Sequence, residues 1–255
     1  MKKLLLILSL GLIICLGCDD ELITPIIENN YGVYGTIIDT SGKPVSNVSI
    51  FYLFNYSELP NINLKPNYIF STDSLFENKL FQNIPNPVYE DTYIRFSLDS
   101  RSVVELKLKY KLDGKTFYTY KDTLPYGMYQ HYLDTLGRNT ELKNGIYKYQ
   151  LKIKSLDGFD FFDEKELVIV SVNNKPNSFS NDRGEYFFNG SEAFVGDTIN
   201  VCSIYYPDDI YKYPIEDEIY LLFRKDGYLS KTIKVKLYPG IRFTQDVVLE
   251  KEGKQ

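Results

Sequence analysis

Residues 34–53, YGTIIDTSGKPVSNVSIFYL, contain two apolar, β-branched runs with a turn between them, and they decide the fold of the chain. β-Branched residues favour strands, whereas glycine and proline are frequent in turns. Gly42 can adopt a positive φ, and Pro44 lies where the chain leaves the turn and needs no hydrogen-bond donor. The pattern predicts the first hairpin of a β-sandwich whose partner strands come much later in the chain.

The same stretch resembles the opening of carboxypeptidase regulatory-like domains, which are small sandwiches of the prealbumin-like type. Their signature is G-x-V-x-D-x-x-G-x-P-h-x-x-A-x-V, where h is an apolar residue. The residues that fall on this signature are Gly35, Ile37, Asp39, Gly42, Pro44, Val45, Val48 and Ile50. Residues 179–188 are similar to the family's T-D-x-x-G-x-Y-x-F hairpin, with Ser180 and Asn181 at the Thr-Asp positions. Residues 217–236 match the next pair of strands, and residues 243–249 match the strand that closes the sheet.

A different module lies between these parts. Residues 80–153 resemble the immunoglobulin-like (Ig-like) domain of flagellar hook-capping proteins and the related C-terminal sorting domains of the type IX secretion system. Residues 82–96 follow that family's motif Q-N-x-P-N-P-h-x-x-x-T-x-I-x-F, and Leu133 stands where the family has tryptophan. A sorting domain works at the end of its chain, whereas this module is internal, so the resemblance implies the fold rather than the sorting role. Within the module, Asp113 and Gly114 predict a hairpin with a type I′ turn.

These patterns predict an all-β chain with two β-sandwiches, an Ig-like module inserted in a prealbumin-like (carboxypeptidase regulatory-like) sandwich. Insertion is tolerated where the ends of the inserted module lie close together at the surface. Deleting residues 80–153 is therefore expected to leave a folded split domain. The predicted segments are a signal peptide at 1–17, a lipidated tether at 18–30, a split regulatory-like sandwich at 31–55 plus 168–250, a connector at 56–79 and the inserted Ig-like domain at 80–167.

The chain begins like a secretory signal. A basic start at residues 1–3 precedes an apolar run at residues 4–16, which is too short to cross a bilayer of about 30 Å. Residues 15–18, C-L-G-C, resemble a bacterial lipobox, in which a small residue precedes a cysteine that is diacylated and then becomes the new N-terminus after cleavage. The resemblance makes Cys18 the lipidation site, and the alternative is an ordinary signal peptide with a chance cysteine.

An acidic triplet, Asp19, Asp20 and Glu21, directly follows Cys18. In Bacteroidota-type lipoproteins similar runs act as surface-export signals, whereas in enterobacteria an aspartate beside the cysteine favours retention in the inner membrane. The type IX-like module favours the outer membrane and its outer face. The first expected partner is therefore the membrane, bound through acyl chains that contribute about 0.8 kcal/mol for each buried CH₂ group.

Composition narrows the remaining classes of function. The net charge of −5 is dispersed and without a basic block, so nucleic acid is not an expected partner. Of 3 cysteines, one leaves with the signal and one is lipidated, so Cys202 has no partner for an intramolecular disulfide and is expected to be a buried strand residue. His131 is the single histidine, which excludes a two-histidine zinc site. We expect no cofactor and no enzymatic activity.

The acidic runs, which include Asp157, Asp160, Asp163 and Glu164, lack the spacing of a calcium loop and predict solvated turns.

Residues 205–214, YYPDDIYKYP, form the most unusual predicted loop of the chain. Its tyrosines are a candidate binding loop: Tyr205, Tyr206, Tyr211 and Tyr213. Exposed tyrosine rings can stack on sugars or anchor a protein partner, although a loop of this kind also serves to cover a sheet edge. The sequence thus predicts a non-enzymatic, lipid-anchored envelope protein that presents β-sandwiches as structural and interaction modules to an envelope protein or a glycan. The alternative is a carbohydrate-binding surface lipoprotein.

Overall fold

Strands dominate the part of the chain that the structure describes. The computed structural model describes residues 31–54, 76–135, 142–156, 158, 160–171, 173–202 and 210–253. These residues contain no α-helix and one short 3₁₀ helix, Gly190–Ala193. The strands are β1 Gly32–Asp39, β2 Ser49–Leu53, β3 Lys79–Leu80, β4 Asp91–Leu98, β5 Ser102–Tyr110, β6 Thr116–Leu124, β7 Gly127–Asp134, β8 Gly145–Ser155, β9 Asp160–Ile169, β10 Ser178–Phe179, β11 Glu185–Asn189, β12 Thr198–Cys202, β13 Ile210–Pro214, β14 Glu218–Arg224, β15 Lys231–Lys236, β16 Arg242–Thr244 and β17 Val247–Leu249. The predicted all-β sandwich class is confirmed.

Strands β1 and β2 lie in two different sheets. β1 pairs antiparallel with β11 and parallel with β16 and β17. β2 lies between β10 and β14 in a second sheet that continues to β15. We call these two sheets the split sandwich. The hairpin predicted for residues 34–53 is therefore wrong in its pairing, because the chain crosses from one sheet to the other.

The reason for this crossing is the burial of the connecting loop. The chain folds back along β1 only as far as Val45, whose N–H donates to the Ile37 carbonyl at 2.9 Å. Val45 and Val48 are both buried in the core, so the chain then turns inward and leaves β1. The hydroxyl of Ser180 fixes this path: it accepts a hydrogen bond from the Val48 N–H at 2.9 Å and donates one to the Val45 carbonyl at 2.9 Å. Ser180 occupies the Thr position of the regulatory-like motif, and its role here is to hold the crossing in place.

The link between β16 and β17 passes very close to β1 at Gly35. A Cβ atom on Gly35 would collide with the backbone carbonyl of Gln245. On either side of the glycine, Gln245 N–H donates to the Tyr34 carbonyl at 2.8 Å, and Thr36 N–H donates to the Asp246 carboxylate at 2.8 Å. The absence of a side chain at Gly35 is what lets the last strands lie beside the first.

The segment from β3 to β9 forms two further antiparallel sheets, ordered β3-β4-β7 and β6-β5-β8-β9, which we call the central sandwich. The predicted alternation in β4 and β5 is observed, with the apolar residues of one face buried. These buried residues are Ile94, Phe96, Leu98, Val104, Leu106, Leu108 and Tyr110. Val168 and Ile169, placed by the sequence in the split sandwich, belong to β9 and pair with Ile146 and Gly145 of β8.

The β5–β6 hairpin is confirmed, but its turn type is wrong. A type I′ turn needs a positive φ at both central residues, whereas here only Gly114 has one, at 69°. The chain uses the longer loop 111–115, in which Gly114 N–H donates to the Tyr110 carbonyl at 2.9 Å. The strand register then shifts between Leu108 and Lys109, which accommodates the extra residue.

Most of the buried apolar side chains of the two sandwiches belong to one continuous cluster. Asn144, which is fully buried, joins the two sandwiches by polar contacts. Its side chain donates to the Tyr52 carbonyl at 2.7 Å and accepts from Ser171 N–H at 2.7 Å, and its own carbonyl accepts from the Asn177 side chain at 3.0 Å. The two sandwiches are therefore packed together and not merely linked by the chain.

Candidate functional site

Several predicted site residues lie outside the described part of the chain. These are Cys18, Asp19, Asp20, Glu21, Tyr205 and Tyr206. Lipidation at Cys18 and export through the acidic triplet therefore stay predictions. Within the described ranges, no helix has the length and the apolar character that a membrane crossing requires.

Tyr211 and Tyr213 lie in strand β13 and not in a loop. β13 pairs with β12, and the two strands form a small hairpin sheet of their own. Tyr211 is 62% exposed, whereas Tyr213 is partly buried and packs against the core. Of the two candidate tyrosines that the structure describes, only Tyr211 presents its ring to solvent.

The β12–β13 hairpin is docked on the central sandwich through the Q-N-x-P-N-P motif. The Asn86 carbonyl accepts a hydrogen bond from Cys202 N–H at 3.0 Å, and its side-chain oxygen accepts one from Val168 N–H at 2.8 Å. Its side-chain nitrogen donates to the Asn200 carbonyl. Asn86 is completely buried, so satisfying both of its polar atoms is necessary. The second asparagine of this motif is thus a structural link.

Cys202 is held in the same contact region, as a buried strand residue. Its thiol lies 3.1 Å from the Asn83 carbonyl, to which it donates. Asn83 is itself fully buried. Its N–H donates to the Tyr149 hydroxyl at 2.8 Å, and its side chain donates to the Thr92 hydroxyl at 3.1 Å. Burial raises the pKa of the Cys202 thiol to about 11. Because the thiolate is the reactive form, Cys202 is an unreactive packing residue.

His131 lies in β7, where it connects the edges of the two central sheets. Its Nε2 is 2.6 Å from the Tyr118 hydroxyl, and its ring is 4.5 Å from that of Tyr120, both on β6. Burial lowers the pKa of His131. These contacts are with tyrosines of an opposing edge strand, so they support a packing role. Nor does the described structure bring three or more His, Cys, Asp or Glu side chains close enough to hold a metal ion.

Three of the acidic residues expected in turns belong to strand β9. Asp163 is paired with Lys165 at 3.1 Å, and Glu164 is paired with Lys148 of β8 at 2.7 Å. The third, Asp160, starts the strand and faces a pocket. The interpretation of these residues as solvated turns is therefore wrong, because they lie in β9, where Asp163 pairs with Lys165 of the same strand and Glu164 pairs with Lys148 of the neighbouring strand.

The pocket lies on the face of the β6-β5-β8-β9 sheet that points away from the core, and it has a volume of about 420 Å³. Two rows of neighbouring side chains cross the sheet here, the first over all four strands and the second over β5, β8 and β9. The first row is Lys121, Glu105, Lys152 and Phe162, and the second is Val103, Lys154 and Asp160. The volume is in the range typical of small-ligand sites.

Sequence reasoning missed this pocket, although its residues carry a signal. Alternation along β5 and β8 marks Glu105 and Lys152 as outward-facing, whereas Phe161 and Phe162 are adjacent in β9 and alternation does not distinguish them. What alternation cannot show is that β6, β5, β8 and β9 are neighbours in that order. The residues converge only once the sheet order is known.

No model of a known protein family matches this chain, and no curated protein or solved structure has significant similarity to it. The family resemblances of the sequence therefore stay predictions.

Proposed function

We propose that this chain is a non-enzymatic, lipid-anchored protein of the bacterial cell envelope. It is held in the outer membrane, faces the cell surface, and presents its β-sandwiches as structural and interaction modules. The observation that carries the proposal is the C-L-G-C sequence at residues 15–18, directly after a basic start and an apolar run. A lipobox of this form couples export to acylation of Cys18.

The packing of the groups best suited to catalysis supports a non-enzymatic role. His131 contacts tyrosines on a neighbouring edge strand. The Cys202 thiol is buried in the contact between β12 and the central sandwich. In the described part of the chain, these two side chains act in packing, which agrees with a protein that binds or supports rather than transforms a partner.

The anchor is tested by metabolic labelling with a fatty-acid analogue. The Cys18→Ala variant is expected to lose all label and to be released from the membrane fraction, because the acylated sulfur is absent. Cys15→Leu is the matched control, since leucine is the commoner lipobox residue at that position, and it should keep full labelling. Label retained by Cys18→Ala would overturn the proposal.

Surface exposure is tested separately, by protease treatment of intact cells. Neutral replacements of the triplet, Asp19→Asn, Asp20→Asn and Glu21→Gln, should leave lipidation intact while protecting the protein from external protease. Equal digestion of the variant and the natural chain would show that the triplet is not the export signal.

Carbohydrate binding is a second candidate, favoured by the pocket on the central sandwich. Phe162 is 55% exposed at its wall, and charged side chains surround it. An exposed aromatic ring beside hydrogen-bonding groups suits the apolar face and the hydroxyl groups of a sugar. A glycan array with the folded chain tests this function, and Tyr211→Ala shows whether the β13 surface takes part.

A further inference from the structure

The geometry points to the pocket on the outer face of the central sandwich as a binding site for an acidic carbohydrate, a sugar whose ring carries a carboxylate. The site is formed by side chains of β5, β6, β8 and β9. This inference rests on the second proposed function, carbohydrate binding, and adds the chemical class of the ligand.

The depression exists because a short side chain is surrounded by long ones. Val103 is only partly buried and pairs with Lys154 across the β5–β8 ladder. Two residues further along β5, Glu105 lies between Lys121 and Lys152. The longer side chains form the rim, and valine forms a low, apolar floor.

Phe162 provides an apolar wall at one side. It lies opposite Lys152 on the β8–β9 ladder, on the sheet face that points to solvent. Its ring is 55% exposed, so packing of the core does not explain it. The ring is available for stacking with the apolar face of a sugar.

The charge around the pocket favours an anion. The lining contains more positive than negative side chains: the three lysines Lys121, Lys152 and Lys154, and the two acids Glu105 and Asp160. The Glu105 carboxylate lies 3.0 Å from the Lys107 ammonium group, outside the pocket, and also interacts with Lys121 and Lys152 within it. The pocket is therefore locally positive on a chain whose net charge is −5.

The same residues also suit the hydroxyl groups of a sugar. A carboxylate accepts hydrogen bonds from hydroxyl donors, and Asp160 lines the pocket beside Lys154. The lysines donate to the ligand's carboxylate as charge-assisted hydrogen bonds, the stronger kind. A neutral sugar would contact only the Phe162 ring and the carboxylates that accept hydrogen bonds from its hydroxyl groups. A bare inorganic anion would contact only the lysines.

The inference is tested by calorimetric titration of the folded chain with a uronic-acid oligosaccharide. A neutral oligosaccharide of the same length and inorganic phosphate are the comparison ligands. We expect the acidic sugar to bind most tightly, with an affinity that falls as the salt concentration rises. The double variant Lys152→Met, Lys154→Met and the single variant Phe162→Ala should each weaken binding about tenfold or more.

Lys109→Met is the matched control, because Lys109 lies on β5 and on the same sheet face but does not line the pocket. The affinity of this variant for the acidic sugar should change less than about twofold, and circular dichroism should show that all variants are folded.

If the neutral and acidic sugars bind equally and the lysine variants bind like the natural chain, the inference is wrong while carbohydrate binding stands. If phosphate binds as tightly as the acidic sugar and Phe162→Ala has no effect, the site is a simple anion site and the inference is wrong. If no sugar binds, both fail, whereas the lipid anchor is judged by labelling alone.

Discussion

Asp39 carries a charge although it is almost completely buried at the end of β1. Its Oδ1 accepts hydrogen bonds from the Ser41 hydroxyl at 2.6 Å, from Ser41 N–H at 2.8 Å and from Lys43 N–H at 3.0 Å. Its other oxygen is 3.3 Å from the Lys251 ammonium group. These contacts, the Ser41 hydroxyl foremost, hold the pKa of Asp39 well below its usual range. The ionised carboxylate therefore closes the turn that starts the crossing between the sheets.

Replacing the Asp39 carboxylate should make the free energy of unfolding depend less on pH in the acidic range. Because the pKa is lower in the folded state than in the unfolded state, the carboxylate stabilises the fold above the unfolded value of about 3.9, and this contribution is lost as pH falls. Asp39→Asn should therefore lower the free energy of unfolding near neutral pH, and the difference should shrink below about pH 4. Urea unfolding at several pH values measures it. Asp226→Asn, in an exposed turn, is the control, and a difference for Asp39→Asn that stays constant with pH would contradict the argument.

His131 offers a second titration at the residue scale, because it is the single histidine of the chain. Burial lowers its pKa, so we expect the imidazole to titrate below the ordinary value of about 6.5. The unfolded state then takes up a proton before the folded state does, and stability should decrease as pH falls through this range. Nuclear magnetic resonance of the ring protons measures the pKa, with the urea-unfolded chain as reference. A folded-state value at or above the reference would show that burial does not dominate.

At the scale of the elements, the sequence predicts where strands lie much better than it predicts their neighbours. The alternation of Ile94, Phe96 and Leu98 correctly indicates a strand with one buried face. The run of residues 34–53 correctly indicates two strands and a turn, yet β1 and β2 do not pair. Alternation reports which face is buried, and both an ordinary hairpin and a crossing between sheets satisfy it. The buried Val48 and its contact with Ser180, far away in the chain, decide between them.

The same limit applies to the candidate site. Aromatic composition singled out residues 205–214, where the structure shows Tyr213 packed against the core. The pocket depends on cross-strand pairs such as Glu105 with Lys121 and Lys152 with Phe162. Such pairs are set by the order and register of the sheet, which depend on contacts distant in sequence.

The close approach of β1 to the β16–β17 link gives a prediction for this element. Gly35→Ala should lower the free energy of unfolding by about 1–3 kcal/mol, because the new methyl group must displace the Gln245 backbone. Gly253→Ala is the control, since a Cβ there meets no atom within 4 Å. The free energy of unfolding of that variant should stay within about 0.5 kcal/mol of the value for the natural chain. Equal stability of the two variants would mean that the last strands move away from β1 at little cost.

At the scale of the whole molecule, the two sandwiches are expected to unfold together. They share one apolar cluster, and Tyr110 of the central sandwich lies edge-on to Phe194, with ring centroids 5.9 Å apart. Asn144 adds hydrogen bonds from one sandwich to the other. Independent folding of the split sandwich, expected from the sequence, would leave these groups exposed or without partners.

We therefore predict a single unfolding transition in urea, observed equally by circular dichroism and by tyrosine fluorescence. The physical reason is that separating the sandwiches exposes apolar surface and leaves buried polar groups unsatisfied. Replacing residues 80–153 by a flexible linker should accordingly yield a loosely packed chain with broad resonances. Two well-separated transitions, or a sharply folded deletion variant, would contradict this prediction.

The parallel pairing of the last strands with the first determines how the fold resists force. The chain enters β1 at Gly32, opposite Arg242, and the paired strands end at Asp39, opposite Leu249. In the proposed anchored state, tension from the membrane acts at the start of β1, while a load on the C-terminal side acts at the end of β17. The two strands are then pulled along their length in opposite directions. Their hydrogen bonds are loaded together in shear instead of opening one at a time, so the pair resists a pull applied between Gly32 and Leu249.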